Sequence, residues 1–312
     1  MKLIYLFPGQ GSQSVGMGKD LYEKFESVRN IFDDGNNILG ADIKKYCFEG
    51  PLEELTKTHI VQPAITIVNI AVATVLHEKG VKPEAACGHS LGEYSALYAA
   101  GVFSLETVLK LVQLRGSCMQ ECANKHPGGM VAVVGLTIDT VREVCVEASA
   151  SGVIGIANIN TKEQLILSGT KEAVAKAAEI IEKLGTARVI PLKVSGPWHS
   201  PLMKEAQERM AREIMVAEMS DPKIPVICNV TAHYAKTAAE IRENLINQIT
   251  GSVRWLETVE RLQSTHTDAR YIEVGPGRVL KGLLRNINRD AEIFNVENSA
   301  SLDSVLKALG AE

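Results

Sequence analysis

Aromatic residues are scarce in this chain, only 5% of its 312 residues. A core must therefore be built from small and branched aliphatics, and the 46% hydrophobic share supplies them. A positive excess is lacking too: 33 Lys and Arg stand against 37 Asp and Glu, a net −4, which excludes a general nucleic-acid binder. Long apolar runs are missing, since the longest, Ile65 to Val75, is broken by Thr66, Asn69 and Thr74, so no membrane span is expected. The opening Met1-Lys2-Leu3-Ile4-Tyr5-Leu6-Phe7-Pro8-Gly9 is too short for a secretory signal and lacks a small-residue cleavage site; it reads as a first strand. The six cysteines, Cys47, Cys87, Cys118, Cys122, Cys145 and Cys228, have no paired metal spacing. Cys118 and Cys122 share a helix face but no His or Cys pair follows them, so a zinc site is excluded and buried thiols of a reducing, cytoplasmic compartment are expected. Repeats and low-complexity tracts are absent. The length suffices for a large core and more than one structural unit.

What stands out is Ala86-Cys87-Gly88-His89-Ser90-Leu91-Gly92-Glu93-Tyr94-Ser95. Short apolar residues lead in and a helix-compatible run leads out, the strand, turn, helix context in which Gly-x-Ser-x-Gly forms a nucleophile elbow. Gly88 and Gly92 are needed because a side chain at either position would collide across the turn. Ser90 Oγ would stand exposed, with the Leu91 amide and the helix start aimed at any negative charge nearby. Taken alone, the pentapeptide is equally a strand-to-helix loop of small residues.

Around it the chain alternates strands and helices. Lys2–Phe7 reads as a strand, and Pro8-Gly9-Gln10-Gly11-Ser12-Gln13 as a loop at a strand end, where α/β proteins bind ligands. Asp20–Leu39 reads as a helix with Gly35 as a stop. Gln62-Pro63 opens a helix Ala64–Lys79, with proline in its first turn. Helix Ser104–Lys125 carries Arg115 among Leu111, Val112, Leu114 and Met119; by itself it reads as a surface arginine whose stem covers apolar neighbours.

From 128 to 196 the order is strand, helix, strand, strand, helix, strand: Met130–Val134, Thr140–Ser149, Val153–Asn158, Gln164–Ser168, Lys171–Gly185, Ala187–Val194. This is the split βαβ pattern of a ferredoxin-like module. It reads as an insertion between hinges His126–Gly129 and Ser195–Pro197, the large unit being 1–127 plus 197–312. Strand Pro225–Val230, helices Ala238–Thr250 and Leu256–Ser264, strand Tyr271–Val274, helix Val279–Asn286, strand Glu292–Val296 and helix Leu302–Leu309 complete that unit. The expected fold is thus α/β, with an α/β-hydrolase-like large domain around a mostly parallel sheet and a small ferredoxin-like subdomain.

Of seven histidines, His199 alone lies on a Gly/Pro-rich loop at the junction of the two units, where small-molecule sites collect. His89 is adjacent to Ser90, and neighbours on an extended strand project oppositely.

Phe7-Pro8-Gly9-Gln10-Gly11-Ser12-Gln13, Gly88-His89-Ser90-Leu91-Gly92, Gln113-Leu114-Arg115-Gly116, Trp198-His199-Ser200 and Glu273-Val274-Gly275-Pro276-Gly277 follow one another in the order of the acyltransferases of fatty-acid synthesis. The chain resembles, over essentially its whole length, the stand-alone bacterial malonyl-CoA:acyl carrier protein transacylases. The resemblance implies Ser90 as nucleophile, His199 as general base, Gln10 and Leu91 as the oxyanion site, and Arg115 as the binder of the malonyl carboxylate. It further implies that a main-chain carbonyl orients the histidine, with Arg254 in Val253-Arg254-Trp255 matching the segment that supplies it. Malonyl-CoA and an acyl carrier protein bearing phosphopantetheine would be the partners of a monomer, with no tightly bound cofactor, metal or nucleic acid. An acetyl group in such a pocket would leave the Arg115 guanidinium unpaired. Lys193, Lys204, Arg278, Lys281 and Arg285 are candidate contacts for an acidic carrier. Ser and His alone would equally serve an acyl hydrolase or esterase, or a polyketide trans-acting acyltransferase. Two departures from the family pattern bear on the pocket: Trp198 replaces a common Phe, and Asn160-Thr161-Lys162-Glu163-Gln164 replaces an Asn-Ser-Pro-Gly-Gln turn.

Overall fold

Residues 2–311 are described by a computed structural model. Its strands, in chain order, are β1 (Leu3–Phe7), β2 (Ala85–Gly88), β3 (Gly128–Val134), β4 (Ile154–Ile159), β5 (Gln164–Thr170), β6 (Arg188–Pro191), β7 (Val226–Ile227), β8 (Tyr234–Ala235), β9 (Arg270–Val274) and β10 (Ile293–Val296). They form two sheets. The larger runs β10-β9-β1-β2-β7-β8 and is parallel except for the β7–β8 edge pair. Its central strand, β1, is Leu-Ile-Tyr-Leu-Phe with every residue buried, as a parallel strand covered on both faces requires. β7 is shorter than the expected Pro225–Val230 strand, and Cys228 and Asn229 beyond it carry the chain over the end of β2.

Helix Thr58–Glu78 has the length and apolarity of a membrane span, with mean hydropathy 1.7, yet 83% of that apolar window is buried inside the protein. Apolar on all sides, it is a core helix. It starts six residues before the expected Ala64, so Pro63 lies inside it rather than in the first turn. Proline there forgoes one backbone hydrogen bond, a cost offset by burial of nearly the whole helix. Gly35 likewise does not stop its helix, which is Glu26–Leu39 and ends at Gly40 with φ 60°. A Cβ at Gly35 would lie 2.8 Å from Ile67 Cδ1, so the glycine serves close helix packing.

The smaller sheet runs β4-β5-β3-β6, with every neighbouring pair antiparallel. Two-residue periodicity divides its side chains. Val131, Val133, Leu165 and Leu167 pack on helices Ile138–Ala148 and Lys171–Leu184 in a core of their own. Met130, Ala132 and Ile166 face the other way and join the core of the larger unit. β4 is also tied to that unit: Ile159 N–H donates to Val253 O at 2.9 Å and Val253 N–H to Ala157 O at 2.8 Å. β6 ends at Pro191, short of the expected Val194, although Leu192 N–H still donates to Met130 O at 3.0 Å just beyond it.

Candidate active site

β2 delivers the chain to a turn that only glycine permits. A Cβ on Gly88 would lie 2.0 Å from Gly92 O, one on Gly92 2.0 Å from Phe7 O, and one on Gly9 2.5 Å from His89 O. The loop after β1 therefore lies pressed against the turn after β2. Between these contacts Ser90 sits at φ 52°, a left-handed conformation costly for a side-chain-bearing residue. Asn229 restrains it from both ends: its Oδ1 accepts the Ser90 N–H at 2.6 Å, and its Nδ2 donates to Gly88 O at 2.7 Å. Helix Gly92–Ala99 starts immediately after, with Leu91 at its cap.

His199, 109 residues further on, meets Ser90. Its Nε2 is 2.7 Å from Ser90 Oγ. Its Nδ1 lies 2.9 Å from Gln248 O and 3.1 Å from Gly251 O. Two carbonyls at Nδ1 require a proton there, which leaves Nε2 as the acceptor of the serine hydroxyl proton. Burial first, and then the Arg115 guanidinium, push the His199 pKa from 6.5 down to about 3. The resting base is therefore neutral. His199 is itself at φ 55°.

Arg254 does not orient the histidine, contrary to the expectation carried by the resemblance. Its carbonyl accepts Thr258 N–H at 3.0 Å as the start of helix Trp255–Thr265, its N–H donates to Asn229 O at 3.0 Å, and its side chain pairs with Glu257. A carbonyl committed to a helix points along that helix, so the loop at Gln248 and Gly251 supplies the acceptors. His89 also stays away from Ser90 chemistry, its Nε2 lying 2.9 Å from Asn160 Oδ1 and its ring resting on Trp255.

Arg115 is 1% exposed, so its isolated reading as a surface arginine is overturned. Nη1 donates to Gln62 Oε1 at 2.9 Å, while Nη2 donates to Gln248 Oε1 at 3.0 Å and to Ser90 Oγ at 3.2 Å. The guanidinium also lies over the Tyr94 ring, 5.7 Å from its centroid. Two amide oxygens and the Ser90 hydroxyl thus take donors of Nη1 and Nη2, while Nε, also buried, has no hydrogen-bond partner. The expectation that an acetyl group would leave it unpaired concerns its charge and this Nε donor, since Gln62 and Gln248 already accept from Nη1 and Nη2.

These groups line a cleft of about 470 Å³ between the two sheets. Its polar side carries Gln10, Ser90, Arg115 and His199 together with Asn158, Asn160 and Gln164; Met119, Met130, Ala132, Ile166, Leu192 and Trp198 make it apolar elsewhere. Gln10 Nε2 reaches Thr58 Oγ1 at 3.4 Å. The Leu91 amide has no protein acceptor among the described residues, and it opens into the cleft at a helix N-terminus, as an anion site needs. Trp198 is buried, its ring filling the space a Cβ on Gly196 would need. The departing turn closes without Pro-Gly: Asn160 and Thr161 N–H both donate to Gln164 O, at 3.0 and 3.2 Å. No cluster of three metal-ligating side chains occurs among the described residues.

Of the five basic candidates, Lys193 lines the cleft, and Arg278, Lys281 and Arg285 lie at or on helix Val279–Ile287, whose Val279, Leu280 and Leu283 form the rim. Arg278 and Arg285 both help lower the Lys281 pKa, behind burial as the main cause, so the three stand near one another, with Arg278 paired to Glu297 at 3.1 Å. Lys204 stands apart on the outside, its Nζ bonded to Gln207. Glu273 anchors the rim helix by accepting the Leu280 and Lys281 amides at 2.9 and 2.8 Å, and burial pushes its carboxyl up to about 7.

Gln62, Glu93, Asn229 and Gln248, all fully buried, were not singled out by sequence. Gln62 had a signal, an amide inside the apolar run Val61 to Ile65. Glu93 passes for an ordinary acid in a first helical turn. Nothing local marks Asn229 or Gln248.

Comparison with known proteins shows the family. The family of the acyl transferase domain matches residues 4–301. A malonyl CoA-acyl carrier protein transacylase of Bacillus subtilis is 38% identical over 312 residues, spanning 100% of this chain and 98% of its own. The crystal structure of an acyl carrier protein S-malonyltransferase from Vibrio cholerae superposes with TM-score 0.94 at 38% identity, covering 98% of this chain and 100% of that one. A malonyl-transacylase in complex with its type II PKS acyl carrier protein gives TM-score 0.95 at 38% identity, covering 99% and 100%.

Proposed function

Because the chain belongs to the acyl transferase family, as one of its malonyl-CoA:acyl carrier protein transacylases, we propose that it moves malonyl from CoA to a carrier-bound phosphopantetheine thiol through an ester on Ser90. One observation carries this reading: a single hydroxyl, Ser90 Oγ, lies 2.7 Å from a neutral imidazole nitrogen and 3.2 Å from a buried guanidinium nitrogen. Malonyl has only one methylene between its thioester carbonyl and its carboxylate. A group that reads that carboxylate must therefore stand close to the nucleophile, as Arg115 does.

In the first half-reaction Ser90 Oγ attacks the thioester carbon while His199 Nε2 takes its proton. Charge develops on the carbonyl oxygen, where the Leu91 amide and a Gln10 donor are the candidates to receive it. The C–S bond then breaks, the electron pair leaves with sulfur, and the imidazolium returns the proton to give free CoA thiol. In the second half the phosphopantetheine thiol gives its proton to His199 and its sulfur attacks the malonyl ester carbon; the C–O bond to Ser90 breaks and the imidazolium returns the proton to Ser90 Oγ. No net proton or electron is consumed. The malonyl carrier so formed supplies fatty-acid synthesis.

The turn at Ser90 is a nucleophile elbow on this reading, supported by the positive φ of Ser90 and the close approach at Gly88 and Gly92. Residues 128–196 form the inserted ferredoxin-like subdomain. Supporting this are the β4-β5-β3-β6 order, the separate core, and the contact between the two connections, where a Cβ on Gly128 would lie 2.7 Å from Pro197 Cβ. The carrier docks on the rim helix, where Arg278, Lys281 and Arg285 present positive charge beside the cleft mouth.

The test is intact-mass measurement after exposure to malonyl-CoA, then to holo carrier protein. The expected result is one malonyl adduct, absent in Ser90→Ala, that moves to the carrier. Release as free malonate at the same rate with and without carrier would replace the transferase by a hydrolase.

A further inference from the structure

The mechanism leaves one buried charge unused. Glu93 is 0% exposed and lies directly beneath the nucleophile, in the first turn of the helix that follows it. Its Oε2 accepts the Asn229 N–H at 3.0 Å and Gln248 Nε2–H at 2.7 Å; its Oε1 has no hydrogen-bond partner. The other end of the same Gln248 amide, Oε1, accepts Arg115 Nη2–H at 3.0 Å. A carboxylate, an amide and a guanidinium therefore stand in line, the donor end of the amide toward the anion and its acceptor end toward the cation. This is the orientation in which an amide dipole joins opposite charges.

Resting on the assignment of Arg115 as the reader of the malonyl carboxylate, we propose that Glu93 is the internal counter-charge of Arg115, acting through Gln248, and that it sets how strongly the site prefers a carboxylated acyl group. A buried guanidinium without an anion is costly, and Glu93 meets part of that demand while the site is empty. Malonyl then enters against a carboxylate already in place, whereas a neutral acyl group feels neither charge strongly. Glu93 thus moderates the preference for malonyl that Arg115 creates. It touches no substrate and is a positioning residue of charge. Burial raises its carboxyl pKa, and Gln248, Asn229, Cys228 and Arg115 oppose that rise. The Tyr94 hydroxyl and the Cys87 thiol also feel its charge.

Glu93→Gln keeps an oxygen for both donors and removes the charge, at the cost of an amide NH2 where Oε1 had no partner. The expected result is a rise of about tenfold in the malonyl to acetyl ratio of kcat/KM, from a faster malonyl reaction with the acetyl reaction little changed. An unchanged or lower ratio overturns the proposal, whatever happens to Tm, because a purely structural role moves both substrates together. Arg115→Ala run in parallel must collapse the ratio; if it does not, the assignment of Arg115 itself is wrong, and that outcome is separate from a silent Glu93→Gln. Should Glu93→Gln not fold, calorimetry on Ser90→Ala combined with His199→Gln, which removes the imidazole as a second proton acceptor, in buffers of different ionisation enthalpy decides. Malonyl-CoA must take up more protons on binding than acetyl-CoA, since the arriving carboxylate raises the proton affinity of Glu93. Equal uptake overturns the proposal.

Discussion

The floor and the roof of the cleft are built by opposite rules. On the floor, Ser90 and His199 are held at positive φ, Arg115 is fully enclosed, and Asn229 and Gln248 bind them through short hydrogen bonds, with Glu93 behind accepting from both. The roof, from the small sheet, offers Met130, Ala132 and Ile166, with the amides Asn158 and Asn160 at its edge and the basic rim helix beside it. Strain and desolvated charge are concentrated where a bond is made, and compliant apolar surface where a long arm must slide in and out. The first demands fixed geometry and the second demands only fit.

Removing the base should separate the two most sharply. His199→Gln is expected to lower kcat by at least about 10⁴-fold, while binding of malonyl-CoA, read by calorimetry, is little affected. The same variant carries a pH signature. His199 takes a proton at 6.5 when unfolded but only near 3 when native, so the unfolded chain binds more protons in between and stability falls as pH drops through that window. Thermal melts of His199→Gln across that range should show a shallower acid loss than the parent. An equally steep loss would mean the imidazole is not held neutral by burial.

A smaller effect is expected one step away from the reacting atoms. Asn229→Ala removes the bonds to the Ser90 N–H and the Gly88 carbonyl, and should cost about 10²-fold in kcat with KM unchanged, since a displacement of about 1 Å suffices for such a loss. If KM rises instead, Asn229 belongs to the binding surface and the contrast between floor and roof blurs. The smallest effect belongs to the rim. Lys281→Glu with Arg285→Glu should raise KM for the carrier by up to about tenfold, more at low salt, and leave malonylation of Ser90 by malonyl-CoA at its parental rate. A salt-independent change would place the carrier elsewhere.

The strand and helix order was legible because its signals are local: the short unbroken apolar run Met130 to Val134, the serine that opens the expected helix Ser104–Lys125, the glycine after Leu184. The errors were local readings overridden by packing, at Gly35 and Pro63, where contact with other helices outweighed propensity. Ser90 could be read from its flanking glycines, since the need for them is written within five residues. His199 was marked by its Gly/Pro-rich loop at the junction of the two units and by motif order, but that it meets Ser90, 109 residues away, is a relation only the fold makes.

The sequence by itself determined the alternation of strands and helices, the turn that only glycine allows, and the candidates for the reacting groups, since each is marked by residues within a few positions of one another. Tertiary structure alone decided which carbonyls hold the imidazole, that the guanidinium is enclosed by Gln62 and Gln248, and that Glu93 faces it through an amide. Those are relations between segments up to 155 residues apart, and burial, which gives a charge its strength, belongs to the folded whole and to no stretch of chain.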